Sequence, residues 1–272
     1  MGVFAQQQRK WWALLGVSIA SFLGCVDFTI VNTALPALQA DLDASVDSLQ
    51  WVINGFILAL SSVMVLVGRL ADLHGRKRVL FIGLGVFGLA SLAAGLAGRV
   101  DGLIAARVVQ GLACAVLYTA SGAIVASTFA SHEQGKAFGV LFGVNGVGLA
   151  VGPVLGGVIS AAFGWPWIFL INVPFVLLSL GICALSVDES RSGDTGATLD
   201  WPGALLLLLG LPSLVLVIVQ GAAWGWASAP SLSLGAIAAA ALLAFVQVER
   251  RVAAPIIDVQ FFANRRFVAA VV

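Results

Sequence analysis

Long apolar stretches, separated by short charged clusters, run the length of the chain. Uncharged runs cover residues 48–68, 79–98, 108–131, 137–187 and 201–248. A bilayer core takes about 20 apolar residues per helix, and only helices or closed barrels satisfy their own backbone in lipid. The runs are rich in Leu, Ala, Gly and Val and lack the period-2 alternation of barrel strands, so they choose helices. The pattern predicts transmembrane helices over 11–36, 47–71, 79–98, 102–128, 136–162, 165–187, 201–222 and 231–249. The run 137–187 is too long for one crossing and breaks at Gly164-Trp165-Pro166, and 201–248 breaks between Gly221 and Pro230. A ninth helix is expected to begin at Phe267 and to be cut off at Val272. The apolar stretch after Arg9-Lys10 outruns the core of a cleaved signal peptide and reads as a retained first helix.

Composition sharpens this into an all-α, polytopic membrane protein. Apolar residues make up 60% and charged residues 10% of the 272, against about 25% charged in a soluble domain. Mean hydropathy is +1.05. A net charge of +1 excludes the strongly basic footprint of a nucleic-acid binder. Cys25, Cys114 and Cys183 each fall within an apolar run, and their odd number and lack of spacing argue against disulfides or a metal site. With the N-terminus in the cytoplasm, every Lys and Arg except Arg99 and Arg107 falls on the inner side, as the positive-inside rule requires. Residues 1–187 then read as a six-helix transport bundle and 188–200 as a cytoplasmic linker. Residues 201–250 supply two further helices, and 251–272 a cytoplasmic segment leading into the ninth.

Two charges lie well inside helices, Asp27 and Arg107. At 1.5 Å per residue, Asp27 lies ~13 Å below Pro36 and Arg107 ~8 Å below the outer end of the fourth helix, so they can meet across the bundle. A charge at mid-bilayer costs ~2.5–3.5 kcal/mol and calls for a partner. A structural ion pair and a proton-carrying carboxylate both answer to this description. The loop Gly68-Arg-Leu-Ala-Asp72-Leu-His-Gly75-Arg76-Lys77-Arg78 places two glycines and an acid in a spacing that a merely topogenic basic loop does not explain. In the fifth helix Gly148, Gly152 and Gly156 form a stripe of small residues beside Pro153 and Gly157, a seam for close helix packing. Gly83-Leu-Gly85-Val-Phe-Gly88 satisfies the dinucleotide fingerprint, but it lies in an apolar span with no preceding strand. No P-loop, nucleophile–base pair or metal cluster is present, which disfavours ATP-driven transport and intramembrane enzyme chemistry, and no cofactor is expected.

These stretches together resemble the major facilitator superfamily, in its fourteen-helix drug:proton antiporter branch. The 68–78 loop resembles the motif between helices 2 and 3 of the superfamily, and Asp27-Phe-Thr-Ile-Val-Asn32-Thr-Ala-Leu-Pro36 the helix-1 motif of that branch. Arg107-Val-Val-Gln110-Gly111 is similar to the helix-4 motif linked to proton coupling, and Gly148 to Gly157 to the antiporter motif. Trp167 to Pro174 and Asp200-Trp-Pro202-Gly203 complete the ordered set. The chain departs from the pattern at Phe56, Ala113, Thr119 and Pro166.

The resemblance implies a six-helix bundle built as a 3+3 inverted repeat, followed by two additional helices. It implies a proton-coupled exporter of lipophilic or cationic small molecules in the plasma membrane, here as an N-terminal half or fragment. Its partners would be the lipid bilayer, protons, a small-molecule substrate and either a missing C-terminal half or a second copy. Asp27 and Arg107 are the expected proton-coupling pair, with Asn32, Gln110 and Asn145 on the cavity wall. Gly68, Asp72, Gly75, Arg76 and Lys77 would govern the conformational change, and Gly148, Gly152, Pro153, Gly156 and Gly157 the antiporter helix. The alternative is a non-transporting membrane module, a scaffold or an inert fragment.

Overall fold

The computed structural model describes residues 3–191, 200–252 and 255–256, and these contain helices and no strand. The helices are α1 (Val3–Leu42), α2 (Val46–His74), α3 (Arg76–Gly95), α4 (Val100–Thr128), α5 (Ser131–Phe163), the single turn α6 (Trp167–Leu170), α7 (Asn172–Ser186), α8 (Trp201–Trp224) and α9 (Ala229–Glu249). Among the described residues, eight spans are long and apolar enough to cross a membrane, α6 and α7 together making one of them. The expected start of a ninth helix and most of the linker lie outside the described residues.

Local chemistry sets most of the boundaries. Ser45 caps α2 by accepting the Ser48 amide at 3.1 Å, Ser228 caps α9 through the Ser231 amide at 3.4 Å, and Asp200 caps α8. Gly75, at φ 108°, turns the chain between α2 and α3, a conformation that other residues rarely adopt. The first helix differs from expectation. It runs through Pro36 to Leu42, because Pro36 lies at an exposed position where a lost backbone bond is not walled in, and Ala37–Leu42 carries no helix breaker. At 1.5 Å per residue α1 is ~60 Å long, well beyond the hydrocarbon core. The sixth span is not continuous either. Pro174 cannot donate a backbone bond and its ring opposes the carbonyl four residues back, so the helix breaks at Ile171 and restarts at Asn172.

The packing has an internal symmetry. α2 packs on α4 as α5 packs on α1, and α3 packs on α4 as α7 packs on α1; α1 also meets α4, and α3 meets α7. Exchanging α1 with α4, α2 with α5 and α3 with α7 maps this set of neighbours onto itself, as two inverted three-helix units require. The core lies where α1 and α4 cross, with Val17, Ala20, Cys114, Leu117 and Ala120 enclosed there. α8 and α9 form a hairpin that joins the bundle through α2.

Candidate functional site

Asp27 and Arg107 meet at the centre of the bundle, fully enclosed at 0% and 1% exposure. One Arg107 Nη1–H donates to Asp27 Oδ2, so the two intramembrane charges neutralise each other directly. The other oxygen of the carboxylate is also engaged. Oδ1 accepts the side-chain amides of Asn172 at 2.9 Å and Gln110 at 3.2 Å. Arg107 donates onward from Nε to the Val52 carbonyl at 3.1 Å and from Nη1 to Gln110 Oε1 at 3.1 Å. Its guanidinium lies over the Phe56 ring, 4.1 Å from the centroid. Ser91 closes the network, accepting from Gln110 at 2.9 Å and Asn172 at 3.4 Å. Five elements, α1, α2, α3, α4 and α7, each contribute a group. A buried charge pair that is this fully hydrogen-bonded is tolerated at low dielectric, whereas one stripped of any partner is not.

The break at Ile171 explains how Asn172 takes part. It opens the first turn of α7 with its side chain buried against Asp27. Asn172 lies within the Trp167 to Pro174 stretch, which gives it no individual role, and Ser91 lies outside every motif. An amide just before a proline in an apolar run was the signal for the first. The hydroxyl of a lone serine offered none.

The cavity-wall residues are distributed differently from expectation. Gln110 is wholly buried and spends both ends of its amide on the network, which takes it away from any cavity wall. Asn32 is exposed and turns back to the Thr29 carbonyl at 3.3 Å. Asn145 is half-buried on α5, with its Oδ1 enclosed and unbonded.

At the end of the bundle that carries most of the basic residues, Arg76 grips Asp72 one turn back, through Nε at 2.9 Å and Nη2 at 2.7 Å. Lys77 reaches across to the end of α7 and donates to the carbonyls of Ala184 at 3.0 Å and Val187 at 2.7 Å. Glu189 returns the contact. Its two oxygens accept the amides of Lys77 and Arg78 at 3.1 Å each, at the start of α3. A carboxylate thus sits at a helix N-terminus and an ammonium at a helix C-terminus, the favourable sense for both dipoles. Gly68 has open space where a side chain would be, and Gly75 has the Glu189 carboxyl there. On the same end Arg9 pairs with Asp188, and Lys10 with Glu133 at 2.6 Å.

The glycine stripe of α5 is a true seam. A Cβ on Gly148 would touch Cys25 and Phe22 at 3.0 Å, one on Gly152 would strike Thr29, and one on Gly156 would strike Ile30 and Thr33. Gly157 faces open space, and Pro153 lies within the helix beside the seam.

The family model of the Major Facilitator Superfamily matches residues 17–251. The chain is 39% identical over 258 residues to the "Puromycin resistance protein pur8" of Streptomyces alboniger, covering 94% of this chain and 51% of that protein. It is 32% identical over 256 residues to the "Tetracenomycin C resistance and export protein" of Streptomyces glaucescens, covering 94% and 48%. To the "Cephamycin export protein CmcT" of Amycolatopsis lactamdurans it is 39% identical over 253 residues, covering 92% and 52%. The chain spans about half the length of the curated relatives it matches. With eight apolar spans among its described residues, its inverted packing and this match over most of its length, the chain is a multi-pass membrane protein that belongs to the Major Facilitator Superfamily.

Proposed function

We propose that the chain is the N-terminal part of a proton-coupled exporter, a drug:proton antiporter that expels lipophilic or cationic small molecules. Relatives named as resistance or export proteins support the substrate class. The observation that carries the coupling is Asp27, an enclosed carboxylate bound by Arg107, Asn172 and Gln110 from two other helices. In this reading Asp27 takes up and releases the transported proton, and Arg107 holds its position while it does so. The chain is a transporter part and not an enzyme. The basic end of the bundle faces the cytoplasm of the plasma membrane, the orientation that keeps Arg76, Lys77 and Arg78 inside. Residues 1–187 form the transport bundle, 188–200 the linker and 201–250 the two added helices.

The test is substrate efflux from proteoliposomes under an imposed pH gradient, with the chain alone and within the longer protein of its relatives' length. Uphill efflux that is lost in D27N, while substrate binding persists, supports the reading. Equal pumping by D27N moves the proton site elsewhere. If neither form transports and the pH gradient has no effect on bound substrate, the alternative of a non-transporting module stands.

A further inference from the structure

At the basic end of the bundle an open groove of about 410 Å³ runs between α1 and α7, lined by Gln8, Arg9, Trp12, Ile182, Leu185 and Ser186. Toward the bundle centre the two helices close on each other. A Cβ on Gly16 would strike Cys183 Sγ, and Ser179 Oγ donates to the Gly16 carbonyl at 2.9 Å. The groove lies on the basic side of that contact. Among the described residues α1 and α7 alone line it, and the α8–α9 hairpin joins the bundle through α2 instead. Trp12 is 56% and Leu185 83% exposed, so in a membrane the mouth of the groove opens on lipid.

Polarity is ordered along the groove. α1 carries Gln8 and Arg9 about one turn before Trp12, and α7, running the opposite way, carries Ile182 one turn before Ser186. The polar groups therefore lie at the outer end and the apolar ones deeper, with a tryptophan of the kind that marks the membrane interface. Arg9 is the one charged residue in this lining, and its Nη2–H donates to Asp188, just beyond α7. A guanidinium has five N–H groups, so donors remain for a second acceptor. Both members of the pair face solvent, with side chains 39% and 77% exposed, and such a pair contributes little stability of its own. Neighbouring charges are committed elsewhere, Lys10 to Glu133, and Lys77 and Glu189 to the ends of α7 and α3. Ser186 spends its proton on the Ile182 carbonyl at 2.7 Å, which leaves its oxygen as an acceptor.

We propose that this groove binds a membrane phospholipid whose headgroup carries both a phosphate and a primary ammonium. The phosphate takes the spare donors of Arg9 and the side-chain amide of Gln8. The ammonium donates to the Asp188 carboxylate and to Ser186 Oγ, and an acyl chain lies along Trp12, Ile182 and Leu185. Charge complementarity selects this headgroup over its relatives. Its two charges cancel, as do those of Arg9 and Asp188, and each meets its opposite. An anionic headgroup without an ammonium sets its negative charge beside Asp188 unanswered, and a quaternary ammonium has no N–H to give. The inference is independent of the export reading.

Native mass spectrometry of the full chain tests it, with the protein released from detergent that holds equal amounts of phosphatidylethanolamine, phosphatidylcholine and phosphatidylglycerol bearing the same acyl chains. Phosphatidylethanolamine is expected to be retained over the other two. R9Q and D188N are each expected to lose that preference. L185W fills the apolar end from an exposed position and is expected to lose the retained lipid while helix content is unchanged. Equal retention of phosphatidylcholine means that hydrocarbon alone holds the lipid, and stronger retention of phosphatidylglycerol marks a plain anion site; either overturns the proposal. A preference that survives both R9Q and D188N places the lipid elsewhere and overturns it as well. Should R9Q fail to fold, D188N and L185W are read in its place. Loss in both supports the site, and persistence in either overturns it.

Discussion

Lys77 and Glu189 cap each other's helices: the Lys77 ammonium closes the C-terminus of α7, and the Glu189 carboxylate closes the N-terminus of α3 at the amide of Lys77 itself. Each contact is a charge-assisted hydrogen bond, worth about 1.5–3 kcal/mol. E189A and K77A are each expected to lower stability in detergent by about 1–2 kcal/mol after discounting for the solvent that the exposed Glu189 and half-buried Lys77 retain. Because one contact positions the other, the double variant is expected to lose less than the two single losses combined, which a double-mutant cycle of denaturant unfolding reads out.

Replacing Asp27 by Asn preserves shape and leaves Arg107 as an uncompensated buried charge. Removing one partner of a buried pair costs about 3–5 kcal/mol. D27N is therefore expected to unfold well below the parent, and D27N with R107Q to recover part of the loss. A transport defect in D27N alone thus mixes chemistry with stability. D27E, which keeps the charge, separates them: it is expected to keep some uphill efflux in proteoliposomes.

Asn172 is expected to matter as much as a charged residue. N172A removes one of the two amide donors to Asp27 Oδ1 and is expected to cost about 1–3 kcal/mol, the range for a buried polar group left short of a partner. N172D sets a second carboxylate against the first and is expected to be worse than N172A. Thermal melting of the purified variants checks the order.

The glycines of α5 are expected to divide sharply. At Gly152 and Gly156 even a methyl group has to push α1 away, so G152A and G156A are expected to reduce folded yield. G157A and G143A meet nothing within 4 Å and are expected to be neutral or to gain up to about 1 kcal/mol from helix propensity. Expression and melting of the four variants decide the matter.

Helices and the central charge pair were legible in the sequence for a shared reason. A charge in an apolar run is costly enough that each such residue needs an answer, and Asp27 and Arg107 lay at matching depths. Neutral polar groups carry no such alarm. Ser91 and Asn172 looked like ordinary interruptions, and Gln110 could as well have faced a cavity. The contacts of Glu189 were hidden for another reason: it meets Lys77 across 112 residues, so that only the fold reveals the acid meant for the basic loop. The end of α1 was misjudged because Gln39, Asp41 and their neighbours fit a polar loop as well as a helix that outruns the membrane.

The distances along the chain within the central network bear on how the protein is made. Asp27 is synthesised 80 residues before Arg107 and 145 before Asn172. The first helix therefore enters the bilayer with its carboxylate unanswered, a cost of ~2.5–3.5 kcal/mol that the apolar remainder of α1 has to outweigh. Arrival of α4 removes that cost, and arrival of α7 supplies the last amide. The charge pair that sits at the heart of the finished bundle is thus also what gives the earliest helix a reason to wait for the later ones, drawing α1 and α4 together in lipid where apolar surfaces alone have little preference for each other.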